Sequence, residues 1–159
     1  MLVLKQGNLL DADVEALVNT VNTVGVMGKG IALQFRGTFP KNYKAYSKAA
    51  KEGKLSLGKM FVFESKELNG PKFIINFPTK SHWKYKSRLE DIKTGLFDLI
   101  GVIRQHHIRS VAVPALGCGN GGLRWDDVRP LIEQVSLSLP DVEFLVYPPA
   151  SDATKNMPL

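Results

Sequence analysis

The fold is decided by two glycine-rich loops, Gly25-Val-Met-Gly28-Lys-Gly30 and Gly117-Cys-Gly119-Asn-Gly121-Gly122. Each loop follows an apolar, β-branched run and precedes a helical pattern, so both are predicted at the carboxyl ends of strands. Glycine lets backbone N–H groups approach an anion without hindrance from Cβ, and a helix N-terminus adds the positive end of its dipole. Two such loops favour a crevice for two linked phosphates over tight turns that bind nothing.

The rest of the chain alternates between strand and helix patterns. Helices are predicted from Leu89 to Ile103 and from Val128 to Val135, the latter capped by Asp126 or Asp127 with Pro130 in its first turn. Two shorter helices between Lys29 and Glu52 break at Phe39-Pro40. This alternation predicts a three-layer α/β/α domain with a mixed, mostly parallel central sheet. The predicted strands are Leu2–Leu4, Ala16–Val21, Met60–Phe63, Phe73–Phe77, Val111–Val113 and Val142–Val146.

Length and composition indicate one globular domain of 159 residues with a net charge of +6. We expect the domain to span residues 1–149, followed by a polar, proline-rich tail or linker start at 150–159. No apolar run approaches the roughly 18 residues of a membrane span, and no signal peptide is recognisable, which favours a cytoplasmic location without a membrane partner. The single Cys118 excludes an internal disulfide, and neither a metal nor a cofactor is expected.

The second loop also has the spacing of a Rossmann dinucleotide-binding loop, through Gly117, Gly119 and Gly122. In that fold an acidic residue ends the next strand and binds the ribose, whereas Asp141 precedes its predicted strand. The first loop does not match a phosphate-binding Walker A loop, because a glycine follows Lys29 where Ser or Thr is required. Both alternatives are therefore disfavoured.

Three segments together resemble the macrodomain family, whose members bind ADP-ribose. They are the opening Gly7-Asn-Leu-Leu-Asp11, the strand end Asn19-Thr-Val-Asn22 with its glycine loop, and the later Pro114-Ala-Leu-Gly-Cys-Gly-Asn-Gly-Gly-Leu123. The resemblance covers nearly the whole chain, from Leu2 to Tyr147, and implies both the macrodomain fold and an ADP-ribose ligand. Asn8 stands where the family often has an acidic residue that meets the adenine.

Within macrodomains, the run from Val18 to Arg36 followed by Asn76-Phe-Pro-Thr-Lys80 resembles DarG-type DNA ADP-ribosyl glycohydrolases. Those proteins are antitoxins that remove ADP-ribose from thymidine in DNA. The resemblance implies that Lys80 is catalytic, and that the partners are ADP-ribose, ADP-ribosylated single-stranded DNA and a cognate DNA ADP-ribosyltransferase toxin. A related branch that acts on glutamate has an aspartate in the last glycine loop, near Gly121, and this chain lacks it.

A catalytic role for Lys80 is chemically reasonable from the sequence itself. The residue follows a buried strand at the same edge as both loops, close to Lys84 and Lys86. Partial burial and neighbouring cations would lower its pKa and make it a nucleophile. Its target would be the anomeric carbon of the distal ribose, through an oxocarbenium-like state. A covalent lysine intermediate is favoured, and activation of substrate or water by protonated Lys80 is the alternative.

The residues assigned to ADP-ribose binding share the predicted sheet edge. The Asn22 amide would hold distal ribose hydroxyls or orient water, unless it only stabilises the turn after its strand. Cys118 is expected to fill space in the loop rather than act as a nucleophile, because no His base is near it. The assigned set is Asn8, Leu9, Asn22, Gly30, Ile31, Ala32, Thr79, Gly117, Cys118, Gly119, Asn120, Gly121, Gly122, Leu123 and Tyr147.

Cations and aromatic residues alternate directly after Lys80, in Ser-His-Trp83-Lys84-Tyr85-Lys86. This mixture is typical of surfaces that bind single-stranded nucleic acid, because phosphates meet the cations while bases stack on the rings. The alternative is an exposed basic loop whose Trp83 and Tyr85 are tucked into the domain. These four residues, Trp83 to Lys86, are the predicted DNA contacts.

Three functions compete at this point. The first is a hydrolase that removes ADP-ribose from modified DNA bases through Lys80. The second is a non-catalytic reader of ADP-ribose, which would need no basic group over the distal ribose. The third is a macrodomain hydrolase that acts on O-acetyl-ADP-ribose or on ADP-ribosylated protein.

Overall fold

The centre of the molecule is a mixed sheet. The computed structural model describes residues 1–150. The strands lie in the spatial order β1-β6-β5-β2-β4-β3, and every neighbouring pair is parallel except β3 and β4. The predicted mixed, mostly parallel sheet is thus confirmed. In chain order the strands are β1 (Leu2–Leu4), β2 (Ala16–Asn22), β3 (Phe61–Glu64), β4 (Phe73–Lys80), β5 (Ser110–Pro114) and β6 (Glu143–Tyr147).

Helices cover both faces of the sheet. Phe35 and Tyr46 are fully buried on one face, and Leu99 and Ile132 are buried against the other. Alternate residues of the central strands enter the two cores, as expected for a sheet covered on both sides. The three-layer prediction is confirmed. The helices are α1 (Gly30–Thr38), α2 (Pro40–Lys51), α3 (Leu89–Gln105) and α4 (Trp125–Ser138), with short 3-10 turns at Leu9–Asp11 and Gly119–Gly121.

The predicted break between the first two helices is confirmed at Phe39. This residue has ψ of 72°, and Pro40 is the first residue of α2. A proline pushes the preceding residue out of the helical region but is well tolerated at the first helical position. The chain therefore turns sharply between α1 and α2.

The last strand before the predicted catalytic lysine is longer than expected. The apolar content of the sequence predicts a strand from Phe73 to Phe77, but β4 continues through Pro78 to Lys80. The neighbouring β3 pairs only with Phe73 to Asn76, so Pro78 has no partner on that side. Lys80 is consequently the last residue of β4 instead of lying beyond it.

The start of α4 also differs from the prediction. Its N-cap is Arg124, which makes no side-chain cap hydrogen bond, and both Asp126 and Asp127 lie within the first turn. There the carboxylates still interact favourably with the helix dipole. Pro130 is the sixth helical residue, in the second turn, where the Asp126 carbonyl it leaves unpaired belongs to an exposed residue that water can reach.

The end of the predicted domain lies at the limit of the described residues. The tail predicted at 150–159 falls outside them except for Ala150, so its role stays a prediction. No helix within residues 1–150 is long and apolar enough to cross a bilayer.

Three fully buried asparagines join β2, β4 and α2 below the carboxyl edge of the sheet. Asn19 and Asn76 are register partners on adjacent strands, and Asn19 Nδ2 donates to Asn76 Oδ1 at 3.3 Å. Asn76 and Asn42 of α2 exchange hydrogen bonds of 2.9 and 3.2 Å. Buried amides are stable where they are paired, as those of Asn42 and Asn76 are here, whereas Asn19 Oδ1 accepts no hydrogen bond among the described residues. The cluster fixes α2 against the two strands whose ends form the site.

Candidate functional site

A cavity of about 990 Å³ opens at the carboxyl edge of the sheet, between the two glycine loops. Small-molecule sites typically measure about 300–1,000 Å³, so a ligand of nucleotide-sugar size is accommodated. Among the described residues that line it there is no Asp or Glu, whereas Lys29, Lys80 and Lys84 all contribute to its wall. The cavity is therefore suited to an anion.

The first loop is held from below by Asn22 and Tyr46. Asn22 Oδ1 accepts hydrogen bonds from Val24 N and Val26 N, each at 3.2 Å, and Nδ2 donates to Val26 O at 2.8 Å. The buried Tyr46 hydroxyl lies 2.7 Å from Asn22 O and 3.0 Å from Asn22 Oδ1. Burial raises the pKa of Tyr46, so the phenol keeps its proton and donates it. Asn22 thus stabilises the turn after its strand, and one amide hydrogen remains available at the cavity wall.

The first turn of α1 presents backbone donors to the same cavity. Lys29 is the N-cap and makes no side-chain cap hydrogen bond. The N–H groups of Gly30, Ile31 and Ala32 have no partner within the helix, and all three residues line the cavity. A helix N-terminus with free donors is a ready anion site, so this turn suits a phosphate.

The second loop packs tightly onto the chain behind it. Gly117 has φ of +73°, and a Cβ there would lie 2.6 Å from Leu123 Cδ1, so a larger residue does not fit. Ser87 N donates to Gly121 O at 2.9 Å, while the Ser87 side chain lies where a Gly121 Cβ would stand. The loop that faces the cavity is therefore fixed to the segment that follows Lys80.

Lys80 lies at the point where the two central strands end together. It is the register partner of Asn22, and the chain beyond is tied to β2 by a 2.9 Å hydrogen bond from Thr23 Oγ1 to Ser81 O. Partial burial, followed by the charges of Lys86 and Lys29, lowers the pKa of the Lys80 ammonium. A lowered pKa increases the fraction of neutral amine, the nucleophilic form.

The segment after Lys80 exposes its aromatic side chains. The His82 ring centroid lies 4.9 Å from that of Trp83 and 5.6 Å from that of Tyr85. Trp83 and Tyr85 are each 53% exposed, so neither is tucked into the domain. Lys84 Nζ lies 5.8 Å from the centroid of the Tyr85 ring. Flat, solvent-facing rings with adjacent cations are available beside the cavity.

The other end of the cavity is formed by the first turn of the chain and the end of β6. Asn8 Oδ1 accepts a hydrogen bond from Leu10 N at 3.1 Å and so caps the Leu9–Asp11 turn. Tyr147 is half-buried opposite, and burial together with the Asp11 charge raises the pKa of its phenol. This end offers apolar and aromatic surface together with neutral polar groups.

Most of the residues predicted from the sequence meet at this cavity, but four do not line it. Leu123 packs against the core, and Gly122 lies against the Lys86 side chain. Tyr85 and Lys86 stand outside the wall. Those that do line it are Asn8, Leu9, Asn22, Gly30, Ile31, Ala32, Thr79, Lys80, Trp83, Lys84, Gly117, Cys118, Gly119, Asn120, Gly121 and Tyr147.

Several residues that shape the site were not predicted from the sequence, among them Lys29, Val26 and Tyr46. Lys29 and Val26 line the cavity within the first loop, and Lys29 could have been found from its place between Gly28 and Gly30. Tyr46 holds that loop from α2, 24 residues further along the chain. No local pattern reveals such a tertiary contact.

The fold and the cavity are those of a macrodomain: the Macro domain family model matches residues 18–132, and the chain belongs to the macrodomain family. The DNA ADP-ribosyl glycohydrolase of Mycobacterium tuberculosis is 57% identical over 150 residues, covering 94% of this chain and 43% of that protein. The solved macrodomain of Mycobacterium tuberculosis DarG superposes with a TM-score of 0.93 at 57% identity, covering 94% of this chain and 99% of that one.

A second relative combines two activities in its name. The DNA ADP-ribosyl transferase-DNA ADP-ribosyl glycohydrolase fusion protein of Thermosipho africanus is 36% identical, covering 82% of this chain and 38% of that protein. The solved Thermosipho africanus DarTG in complex with ADP-ribose has a TM-score of 0.85 at 34% identity, covering 98% of this chain and 43% of that one. The chain thus spans less than half the length of these full-length relatives.

Proposed function

We propose that this macrodomain hydrolyses the bond between ADP-ribose and a modified DNA base, thymidine by the DarG resemblance. The observation that carries the proposal is Lys80, a half-buried lysine of lowered pKa at the end of β4, in a cavity whose described lining, within residues 1–150, contains no acidic residue. A non-catalytic reader would gain nothing from a destabilised cation over the distal ribose. The names of the relatives point to the same reaction.

The ligand is proposed to lie with its diphosphate between the two glycine loops. The free N–H groups of Gly30 to Ala32 and the backbone of Gly119 to Gly121 would bind the phosphate oxygens. The distal ribose would then reach Asn22 and Lys80, and the adenosine would lie toward Asn8, Leu9 and Tyr147. The ADP-ribose complex of the Thermosipho africanus relative supports this choice of ligand.

The proposed chemistry uses the neutral amine of Lys80. Its lone pair attacks the anomeric carbon of the distal ribose while the bond to the base nitrogen breaks, and the proton that the attacking nitrogen loses goes to the base nitrogen. Water then hydrolyses the sugar–lysine intermediate, releasing ADP-ribose and the free amine. In the alternative, protonated Lys80 activates the substrate or a water, and no covalent bond to the enzyme forms. The lowered pKa of Lys80 favours the first route.

Single-stranded DNA is the proposed carrier of the modified base. Trp83 and Lys84 stand at the cavity wall, with Tyr85 and Lys86 close behind them on the exposed surface. Rings that stack bases and lysines that meet phosphates bind a single strand without requiring a particular sequence. The net charge of +6 adds attraction over longer range.

A role as the antitoxin of a DNA ADP-ribosyltransferase follows from the same proposal. The fusion of a transferase with a glycohydrolase in the Thermosipho africanus relative supports a toxin as partner. An antitoxin that repairs cellular DNA would work in the cytoplasm, which is the location proposed here. The proposed unit is a macrodomain of residues 1–149 followed by a tail or linker.

The test is release of ADP-ribose from a single-stranded oligonucleotide that carries one ADP-ribosylated thymidine. Lys80→Ala should lower the turnover number by about 10²–10⁴-fold, the usual contribution of one catalytic side chain, while ADP-ribose still binds. Lys93→Ala, on the exposed face of α3, is the matched control and should behave as wild type. Near-wild-type turnover by Lys80→Ala would refute the catalytic assignment. Release from modified protein or O-acetyl-ADP-ribose alone would favour the third function, and no release from any substrate would favour a reader.

A further inference from the structure

The first glycine loop exposes two valines beside the cavity. Val24 and Val26 flank Gly25 and are 45% and 41% exposed. Single exposed apolar residues are ordinary on a protein surface and need no explanation. These two differ because they are neighbours, they lie at the mouth of a functional cavity, and Val26 forms part of its wall.

The valines are held rigidly although they face solvent. Both of their backbone N–H groups donate to Asn22 Oδ1, and Val26 O accepts from Asn22 Nδ2. The Tyr46 hydroxyl fixes Asn22 in turn, and Met27, the next residue of the loop, is fully buried. A preorganised surface loses little conformational entropy when it binds a partner.

The segments that carry the valines and the exposed aromatic rings follow two adjacent strands of the sheet. Val24 and Val26 follow Asn22 at the end of β2, while Trp83 follows Lys80 at the end of β4. Asn22 and Lys80 are register partners, and Thr23 binds the backbone of Ser81. Val26, Lys80 and Trp83 accordingly all line the same cavity, so an aliphatic and an aromatic surface both border the site of Lys80.

The charges around this mouth select a polyanion as its occupant. Lys29 lies on the valine segment, and Lys84 and Lys86 lie on the aromatic segment. Within residues 1–150, none of these three forms an ion pair. Unpaired lysines that alternate with exposed apolar side chains match the alternation of phosphates and bases in a single strand.

We propose that a single DNA strand crosses the mouth of the cavity, with one base neighbouring the modified nucleotide on Val24 and Val26 and the other on Trp83. This inference rests on the proposed function and adds a specificity to it. A nucleotide is recognised on each side of the modified one, so an internally modified strand is a better substrate than one modified at either end. The valines supply the half of this surface that lies opposite the aromatic segment.

The test compares three oligonucleotides of equal length, with the ADP-ribosylated thymidine at the 5′ end, in the interior or at the 3′ end. Val24→Ser, which changes the valine outside the ligand cavity, should raise KM for the interior substrate about fivefold, the lower end expected for loss of a base contact. It should have no effect on the end-modified substrate that lacks the nucleotide on the valine side. Trp83→Ala should show the reverse pattern. It should raise KM for the end-modified substrate that lacks the nucleotide on the valine side, and not for the substrate modified at the other end. Leu137→Ser, an exposed aliphatic change on α4, is the control.

Affinity for free ADP-ribose separates this surface from the ligand pocket, and it should stay unchanged in Val24→Ser, because Val24 does not line the cavity. Equal effects of Val24→Ser on all three oligonucleotides, an unchanged KM, or an equal loss of affinity for free ADP-ribose would each overturn the inference. The same oligonucleotides bound to Lys80→Ala protein test the surface without turnover. If wild type releases nothing from any of them, the proposed function fails, while the binding pattern still decides whether the surface exists.

Discussion

At the scale of single residues, the reactivity of Lys80 is set by where β4 ends. Lys80 is the last residue of the strand, so its side chain is only partly buried. Burial destabilises its ammonium, and the positive charges of Lys86 and Lys29 destabilise it further. Among residues 1–150, no carboxylate lines the cavity wall to offset that effect. A lysine activated in this way is more reactive near neutral pH than an ordinary surface lysine.

The pH dependence of turnover follows from this arrangement. If the neutral amine of Lys80 attacks, kcat should rise with pH and level off above the lowered pKa of that residue. Lys86→Met removes one of the charges that lower this pKa, so the pKa should rise and the ascending limb should move to higher pH. Lys84→Met is the matched control, because Lys84 is not among the charges that shift the pKa of Lys80.

The measurement is kcat at saturating ADP-ribosylated DNA across the pH range, so that weaker DNA binding by either variant does not interfere. A profile that falls as pH rises would mean that protonated Lys80 is the active form. An ascending limb that moves equally in both variants would show that Lys86 does not tune Lys80 specifically.

At the scale of elements, the two glycine loops were predictable because their signal is local. Spacing of glycines, a preceding apolar run and a following helix pattern are all contained in short windows of sequence. The strand extension through Pro78 was not predictable in the same way, because it depends on how short β3 is. The role of Tyr46 depends on α2 folding back onto β2, a contact that no short window contains.

A substitution in the second loop can separate ligand affinity from the stability of the fold. Gly119 has φ of +64° and a Cβ there would meet nothing within 4 Å, so its space is open toward the cavity it lines. Gly119→Leu should therefore cost only about 1–2 kcal/mol of unfolding free energy, for the left-handed backbone. Its side chain would occupy ligand space and weaken ADP-ribose binding by more than about tenfold, measured by calorimetry.

Gly53→Leu is the matched control for this prediction. Gly53 has φ of +70°, again with nothing within 4 Å, and it does not line the cavity. The two variants should lose similar stability in urea unfolding, and only Gly119→Leu should lose ligand. Equal affinity of both variants for ADP-ribose would remove the second loop from the binding site.

At the scale of the whole molecule, the predicted DNA contacts should determine how strongly the affinity for modified DNA depends on salt concentration. Each phosphate contact releases counterions, so affinity for DNA falls steeply with ionic strength. The double variant Trp83→Ala, Lys84→Ala should raise KM on modified DNA and flatten its salt dependence. Its affinity for free ADP-ribose should stay within about threefold, since exposed charges contribute little.

This prediction is checked by kinetics at several salt concentrations with Lys93→Ala as the control. Equal weakening of DNA and ADP-ribose would make Trp83 and Lys84 structural parts of the pocket. If neither ligand weakens, the segment after Lys80 is only a solvated loop, and the DNA substrate is supported by relatives alone.

The buried asparagine cluster helps to set the register of β2 against β4, the two strands whose ends form the site. A slip of one residue between β2 and β4 would set Asn19 against Ile75 or Phe77 and leave buried amides without partners, at a cost of about 1–3 kcal/mol for each. The hydrogen bonds among Asn19, Asn76 and Asn42 therefore favour a single register of β2 against β4. That same pairing brings Asn22 opposite Lys80, so hydrogen bonds in the buried core determine which residues meet at the edge of the cavity.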